Sequence, residues 1–168
     1  MSARKKICLL GAPGVGKTSL VRRFVSATFS DDYLTTIGVK IERKSIEVDG
    51  TELKLMIWDI HGEEGSLTVA PSFLKGASGY LLVIDGSRPE TTDTIIELRE
   101  RLATGGFDAP IVVVGNKADL VSEWSEVDSR LSAAENAGDL ARVTASAKTG
   151  DGVEDAFLAL GRAMLASS

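Results

Sequence analysis

The chain has a single cysteine and no long apolar run. One cysteine, Cys8, excludes a disulfide bond within the chain and suits a reducing compartment. The apolar stretch after Lys6 ends at Gly11, which is too short for a signal peptide, and no other run approaches the length of a membrane span. We therefore expect a cytoplasmic protein.

An excess of basic residues is also missing. The chain has 24 acidic and 19 basic residues and a formal net charge of −5, which favours neither nucleic acid nor an anionic membrane as a partner.

No cysteine near the end could accept a prenyl group, and Ser2 occupies the position where N-myristoylation requires glycine. We expect no encoded lipid anchor. The 168 residues fit one domain spanning residues 1–168.

The hydrophobic pattern predicts alternating strands and helices. Residues 39–48 and 53–57 alternate apolar with polar side chains around Asp49-Gly50, which predicts an antiparallel hairpin with a tight turn. Residues 80–84 and 111–114 are continuously apolar, so the rest of the sheet should be buried and mostly parallel. The other predicted elements are a strand at 5–10, a helix at 17–27, a weak strand at 142–144 and a helix at 152–164 with a core-facing stripe of Val153, Phe157, Leu160 and Met164.

A glycine-rich segment follows the first predicted strand. Residues 11–18 have the pattern GxxxxGKT and lead into a helical periodicity. Backbone N–H groups of such a loop converge on phosphate oxygens, and we expect Lys17 beside the β and γ phosphates and the Thr18 hydroxyl on a Mg²⁺ ion. Residues 11–14 also resemble the phosphate loop of nucleoside monophosphate kinases, so this loop does not identify the base. The predicted phosphate-site residues are Pro13, Gly14, Val15, Gly16, Lys17, Thr18 and Ser19.

A second polar segment identifies the base. Residues 116–119 read Asn-Lys-Ala-Asp and follow the apolar strand, at the edge where open α/β sheets bind ligands. The Asp119 carboxylate can accept hydrogen bonds from the ring N–H and the exocyclic amine of guanine, whereas adenine offers no such pair of donors. Because a buried carboxylate facing adenine would stay unpaired, we expect discrimination of roughly 10⁴-fold.

Together, five segments in order give the chain a family resemblance: residues 11–18, 33–39, 58–64, 116–119 and 146–148. The chain resembles the Ras superfamily of small GTPases, closest to its Rab-like branch, over essentially its whole length. The resemblance implies an α/β fold of the P-loop NTPase (Ras-like) type. Such a fold has three layers, a mostly parallel six-stranded sheet with one antiparallel strand, and helices on both faces. It also implies GTP/GDP and Mg²⁺ as ligands.

The resemblance further implies roles for individual residues. Thr36 corresponds to the switch I threonine, whose hydroxyl binds Mg²⁺ and whose N–H contacts the γ-phosphate. Asp59 would hold a metal-bound water, and the Gly62 N–H would contact the γ-phosphate. At the base, Phe29 corresponds to the aromatic ring that stacks edgewise on guanine, and Ala147 to the N–H that contacts the guanine oxygen. The remaining residues of the implied nucleotide site are Tyr33, Asn116, Lys117 with its stem beneath the base, Ser146 and Lys148.

Partners are implied in the same way. Members of this family act as GTP/GDP switches whose effectors bind switch I and switch II, and they use exchange factors and activating proteins. Here residues 65–67 lack the Arg-Phe pair typical of Rab-like proteins although Trp58 is retained, so Rab-type effectors are not expected to bind.

Departures from the family pattern surround the γ-phosphate. Glu63 stands where most relatives carry the glutamine that orients the attacking water, and it would act with Lys17 and Thr36 in catalysis. His61 replaces a small residue, and its imidazole could reach the attacking water. Pro13 stands where an activator's arginine finger usually passes. We expect slow hydrolysis that such activators do not accelerate. A GTP-dependent binding module that does not hydrolyse GTP is the alternative, and a nucleotide kinase is a weaker one.

Overall fold

The computed structural model of the chain describes residues 2–25, 39–61, 71–134 and 140–167. Within these residues, strands and helices alternate as the hydrophobic pattern predicts. The strands are β1 (Ser2–Gly11), β2 (Val39–Val48), β3 (Thr51–Ile60), β4 (Gly79–Asp85), β5 (Ile111–Asn116) and β6 (Ala141–Thr144). The helices are α1 (Lys17–Val25), the short α2 (Pro71–Leu74), α3 (Thr91–Thr104), α4 (Ser125–Ala133) and α5 (Val153–Ala166).

The six strands form one sheet in the order β2-β3-β1-β4-β5-β6. Strand β2 pairs antiparallel with β3 and every other pair is parallel, which confirms the predicted sheet. Strand β1 begins earlier than the predicted residue 5, because it pairs with β3 from Ser2 opposite Glu52 to Leu9 opposite Asp59. The long hairpin therefore provides a partner for three residues whose own pattern is too polar to predict a strand.

The hairpin turn between β2 and β3 is the predicted one. Val48 pairs with Thr51, and Asp49 and Gly50 between them have φ angles of 49° and 82°. Two consecutive residues with positive φ match the right-handed twist of the flanking strands. The turn fixes the register of the hairpin and thereby decides which side chains of β3 face the core.

Alternating side chains of the strands form a core on each face of the sheet. In β1, Ile7 and Leu9 face one core, whereas Cys8 and Leu10 face the other. Helices α1 and α5 cover the first face, and the rings of Phe24 and Phe157 stack there with centroids 3.8 Å apart. Helices α3 and α4 cover the second face. The predicted three layers, and the core-facing stripe of α5, are confirmed.

The single cysteine lies within the second core. Cys8 has no exposed surface, and burial raises the pKa of its thiol to about 12, against the opposing effect of Lys6. The thiol is therefore protonated and packed among apolar side chains. Among the described residues, no helix combines the length and the apolar character needed to cross a membrane.

Candidate nucleotide-binding site

The predicted site residues that the structure describes lie at one edge of the sheet. Strands β1, β3, β4 and β5 run in the same direction, so their carboxyl ends at Gly11, Ile60, Asp85 and Asn116 lie together. Asp85 and Asn116 are direct partners in the register of β4 and β5. This edge is the part of an open α/β sheet where ligands bind.

The glycine-rich loop leads from β1 into α1, which begins at Lys17 as predicted. Gly14 and Gly16 have φ angles of 76° and 101°, a backbone conformation that favours glycine. The Lys17 side chain folds back over the loop, and its Nζ donates to the carbonyl oxygens of Gly11 and Ala12 at 3.0 and 3.4 Å. Burial lowers the pKa of Lys17, and the nearby Asp59 carboxylate opposes this effect. The ammonium group is thus held among oxygen acceptors at the loop.

Two of the three predicted metal ligands meet beside this loop. The Thr18 hydroxyl donates to Oδ2 of Asp59 at 2.6 Å. Asp59 has no exposed surface, and its Oδ1 is buried with no hydrogen-bond partner in the described part of the chain. A buried carboxylate oxygen next to a hydroxyl fits Mg²⁺, which prefers oxygen ligands. His61 Nε2 lies 3.4 Å from Asp59 Oδ2, so the imidazole contacts the carboxylate of this same site.

Asn116 connects the phosphate loop to the segment after β6. Its Nδ2 donates to the Val15 carbonyl at 2.9 Å, and its Oδ1 accepts from the Ala147 N–H at 3.2 Å. The residue is 1% exposed. An alanine at Gly16 would bring its Cβ within 2.3 Å of Asn116 Nδ2, so the close approach of these segments requires glycine there. One buried amide therefore fixes the distance between the two ends of the predicted site.

Asp119 is oriented by the segment that contains Ser146. The buried Ser146 hydroxyl donates to Asp119 Oδ1 at 2.7 Å and accepts from the Thr149 N–H at 3.1 Å. Asp119 borders a cavity of about 460 Å³. Its walls include the predicted residues Gly16, Ser19, Asn116, Lys117, Ala147 and Lys148. Leu120 and the α1 residues Arg22 and Arg23 also line it, and none of the three was predicted from the sequence.

The structure adds two residues that the sequence analysis missed, Asp85 and Arg88. Asp85 Oδ2 accepts from Arg88 Nε and from Lys117 Nζ, both at 2.9 Å, and its Oδ1 accepts from the Ser87 N–H and hydroxyl. Burial favours a raised pKa for Asp85, but the hydrogen bonds from Ser87, Lys117 and Arg88 outweigh it and hold the pKa well below its usual range. The Asp85 carboxylate is therefore ionised at neutral pH, and it is linked to the phosphate loop through Arg88 and Lys117.

Several predicted residues lie outside the described residues. They are Phe29, Tyr33, Thr36, Gly62 and Glu63. Their roles at the base, the metal ion and the γ-phosphate stay predictions.

Comparison with known proteins identifies the family. The model of the Ras family matches residues 6–166. The chain belongs to the Ras family. It is 35% identical over 169 residues to "Ras-related protein Rab-1" of Theileria annulata, and this alignment covers 95% of this chain and 73% of that protein. It is 38% identical over 154 residues to "Ras-related protein Rab-18" of Lymnaea stagnalis, covering 90% and 76%. With "Ras-related protein SEC4" of Saccharomyces cerevisiae it shares 32% over 158 residues, covering 94% and 73%.

These matches decide between the functions that the sequence left open. As a Ras-family protein with Rab relatives, the chain is a small GTP-binding switch protein and a GTPase, and it binds GTP or GDP with Mg²⁺. The kinase alternative is therefore removed, and nothing in the matches favours a module that does not hydrolyse GTP. Ras-family and Rab proteins in general interact with effectors, exchange factors and activating proteins.

Proposed function

We propose that this Ras-family domain, spanning residues 1–168, holds one GTP or GDP molecule between the glycine-rich loop and the cavity beside Asp119. The observation that carries the proposal is the pair of hydrogen bonds made by Asn116 to Val15 and Ala147. Because this buried amide binds both segments, a nucleotide of fixed length would meet the phosphate-binding and base-binding groups at a fixed separation. Pro13, Gly14, Gly16 and Ser19 belong to the first of these two segments, Ser146 and Lys148 belong to the second, and Lys117 is the neighbour of Asn116.

At the phosphate end, Lys17 and the loop N–H groups would bind the anionic groups. The Lys17 ammonium bonds to the Gly11 and Ala12 carbonyls and could turn from them to phosphate oxygens. Thr18 and Asp59, together with Thr36, would hold Mg²⁺. The metal ion, when bound, neutralises charge on the β and γ phosphates. Asp59 supports this role because its buried Oδ1 has no hydrogen-bond partner among the described residues.

Hydrolysis would depend on Glu63 together with Lys17 and Thr36. A carboxylate at position 63 can accept a hydrogen bond from the attacking water but cannot donate one to the γ-phosphate. Two like unit charges about 4 Å apart at an effective dielectric constant of about 20 repel by about 4 kcal/mol. We therefore propose slow hydrolysis in the absence of other proteins. The exposed Pro13 would obstruct an arginine finger, so activators of that kind would not accelerate the reaction.

Single-turnover hydrolysis tests this role of Glu63. The purified chain would be loaded with Mg²⁺-GTP and compared with Glu63→Gln and Glu63→Ala, while GTP affinity is measured in parallel. Slow hydrolysis by the wild type and loss of most of the rate in Glu63→Ala, at unchanged affinity, are expected. A Glu63→Ala rate equal to that of the wild type would remove Glu63 from the mechanism. Bound GTP that stays intact in the wild type would instead support the binding module.

Effectors would recognise the GTP form through switch I and switch II. In the sequence, β2 and β3 lie between these two segments. Ile41 of β2 is 42% exposed and pairs with Trp58 of β3, whose ring lies 6.3 Å from that of Phe73. Trp58 can report the switch, because Trp124→Phe removes the other tryptophan. Exchange of GDP for a non-hydrolysable GTP analogue should change Trp58 fluorescence, and an unchanged spectrum would argue against coupling to this surface.

A cytoplasmic location is also proposed, on the support of the single buried cysteine.

A further inference from the structure

Three successive carbonyl groups of the phosphate loop are each bonded by a side chain from outside the loop. These groups belong to consecutive residues, and each accepts from a different donor. The pairs are Pro13 with Arg88 Nη2 at 3.1 Å, Gly14 with Lys117 Nζ at 3.1 Å and Val15 with Asn116 Nδ2 at 2.9 Å. Asn116 and Lys117 belong to the segment that was predicted to contact the base. Arg88 comes from the turn after β4 and belongs to none of the predicted motifs.

Asp85 holds the two cationic donors in place. Its carboxylate has no exposed surface, and Oδ2 lies 2.9 Å from both Arg88 Nε and Lys117 Nζ. The Arg88 side chain is 43% exposed. A half-exposed arginine side chain ordinarily samples many rotamers. Here Nε bonds to Asp85 and Nη2 bonds to the Pro13 carbonyl, and together these two bonds fix the position of the guanidinium group. The guanidinium therefore links a buried anion to the phosphate loop.

The bond to Pro13 acts on the next N–H group of the loop. The Pro13 carbonyl and the Gly14 N–H belong to one peptide unit, in which the two groups point in opposite directions. A charged donor on the carbonyl polarises that unit and strengthens its N–H as a donor. Proline has no N–H of its own, so the loop has one donor fewer at position 13. The orientation of the Gly14 N–H consequently matters more here than in a loop without proline.

We propose that Arg88 is a positioning residue for the nucleotide's β-phosphate. It holds the Pro13–Gly14 peptide with its N–H directed at the phosphate, and Asp85 is its anchor. The inference rests on the proposed nucleotide site, because it assigns the N–H side of the loop to phosphate. It adds a residue outside the motifs that carry GTP recognition, and it predicts that tight binding of diphosphates depends on the turn after β4.

Nucleotide release and phosphorus NMR test this inference. Arg88→Ala and Arg88→Lys would be compared with the wild type, with Arg162→Ala as a control that removes the same charge at the opposite end of the sheet, where Arg162 faces Asp49. Arg88→Ala should release GDP about tenfold faster, the loss of one charge-assisted hydrogen bond, while GMP affinity changes by less than about twofold. The ³¹P resonance of the bound β-phosphate should shift, and that of the α-phosphate should stay.

Arg88→Lys keeps the charge but has a single nitrogen, which cannot contact Asp85 and Pro13 as the two guanidinium nitrogens do. Its GDP release should be intermediate, and it serves as the measurement if Arg88→Ala does not fold. Wild-type rates and ³¹P shifts in the Lys and Ala variants would overturn the inference while leaving the nucleotide site intact. Equal losses for GDP and GMP would indicate a general structural role and would also overturn it. A wild type that binds GDP no better than GMP would overturn both proposals.

Discussion

The hydroxyl of Thr18 donates a hydrogen bond to Asp59 Oδ2 at 2.6 Å, although the two residues are 41 positions apart in the chain. Thr18 is the second residue of α1, and Asp59 lies near the carboxyl end of β3. The contact brings together a hydroxyl and a carboxylate, and the other carboxylate oxygen is buried without a partner among the described residues. This geometry leads to a prediction about the metal ion.

Thr18→Ala should weaken Mg²⁺ binding by roughly 10- to 100-fold, because it removes both a proposed metal ligand and the group that orients Asp59. The rate of GDP release would be measured while Mg²⁺ is titrated. In Thr18→Ala this rate should change only at much higher Mg²⁺ concentrations than in the wild type. Thr18→Ser is the matched control, since it keeps the hydroxyl and should stay close to the wild type. An alanine variant with the Mg²⁺ dependence of the wild type would exclude Thr18 from the metal site.

Asp119→Asn should change the preferred base. The asparagine amide can donate to the carbonyl that xanthine carries in place of the guanine amine, whereas Asp119 accepts from that amine. GDP affinity should fall by roughly 10³- to 10⁴-fold and xanthosine diphosphate affinity should rise, as measured by competition with a fluorescent nucleotide.

Ser146→Ala is the control for this change of base. It removes only the hydroxyl that orients Asp119 at 2.7 Å, so it should weaken GDP binding without improving xanthosine diphosphate binding. If Asp119→Asn kept the guanine preference, base recognition would have to come from another residue of the cavity.

The motifs of the nucleotide site were predictable from the sequence, whereas some of the side chains that support them were not. The glycine-rich loop and the Asn116 segment were predictable because glycine content, apolar strands and residue order restrict the backbone there. Thr18, Lys17 and Asn116 accordingly lie where strand ends converge. Strand β1 was predicted too short, because its first residues gain their conformation from β3 and not from their own pattern.

Asp85 and Arg88 were missed for different reasons. A usable signal existed for Asp85, since it ends an apolar strand just as Asn116 does, and the rule that ligands bind at strand ends applied equally to both. No such rule finds Arg88. Its contact with Pro13 depends on the backbone of the turn after β4 and on a long side chain whose direction only the folded protein determines. Leu120, which lines the cavity beside Asp119, was not predictable for the same reason.

Asp85→Asn should destabilise the protein in a pH-dependent way. Hydrogen bonds hold the pKa of the folded Asp85 carboxyl well below its unfolded value of about 3.9, although burial acts in the opposite direction. The contribution of Asp85 to the free energy of unfolding is therefore complete at pH values above the unfolded pKa, and it is lost as the pH falls through the folded pKa. At pH 7 the substitution should cost about 3 kcal/mol, because it leaves Lys117 and Arg88 without their anion.

Urea unfolding at pH 7, 5 and 3 measures this effect in the absence of nucleotide, so that a change in GDP affinity does not enter the free energy of unfolding. The difference in this free energy between the variant and the wild type should be constant from pH 7 to about pH 5 and smaller at pH 3, which lies below the unfolded pKa. Asp93→Asn is the control, since Asp93 pairs with Arg130 at the surface and should contribute less than about 1 kcal/mol at every pH. A difference that widened on acidification would contradict the lowered pKa.

A matched pair of glycines separates backbone strain from steric overlap near the base-binding segment. Gly106 and Gly152 have φ angles of 80° and 71°, so alanine is strained at both, by roughly 1 kcal/mol. Around Gly106 there is open space, whereas a Cβ at Gly152 would lie 2.1 Å from the Thr144 carbonyl oxygen. Gly106→Ala should therefore lose about 1 kcal/mol of unfolding free energy, and Gly152→Ala about 3 kcal/mol.

Only the Gly152 substitution should also weaken nucleotide binding. Thr144 lies two residues before Ser146. The Ser146 N–H donates to the Asp151 carbonyl at 2.8 Å, and its hydroxyl orients Asp119. Relief of the overlap at Thr144 must therefore move the segment that supports Asp119. GDP affinity should thus fall in Gly152→Ala and stay unchanged in Gly106→Ala, with urea unfolding and nucleotide titration measured on the same samples. Equal destabilisation of the two variants would mean that the backbone around Thr144 yields without cost, and the Ser146 segment would then not be the rigid support for Asp119 that its hydrogen bonds indicate.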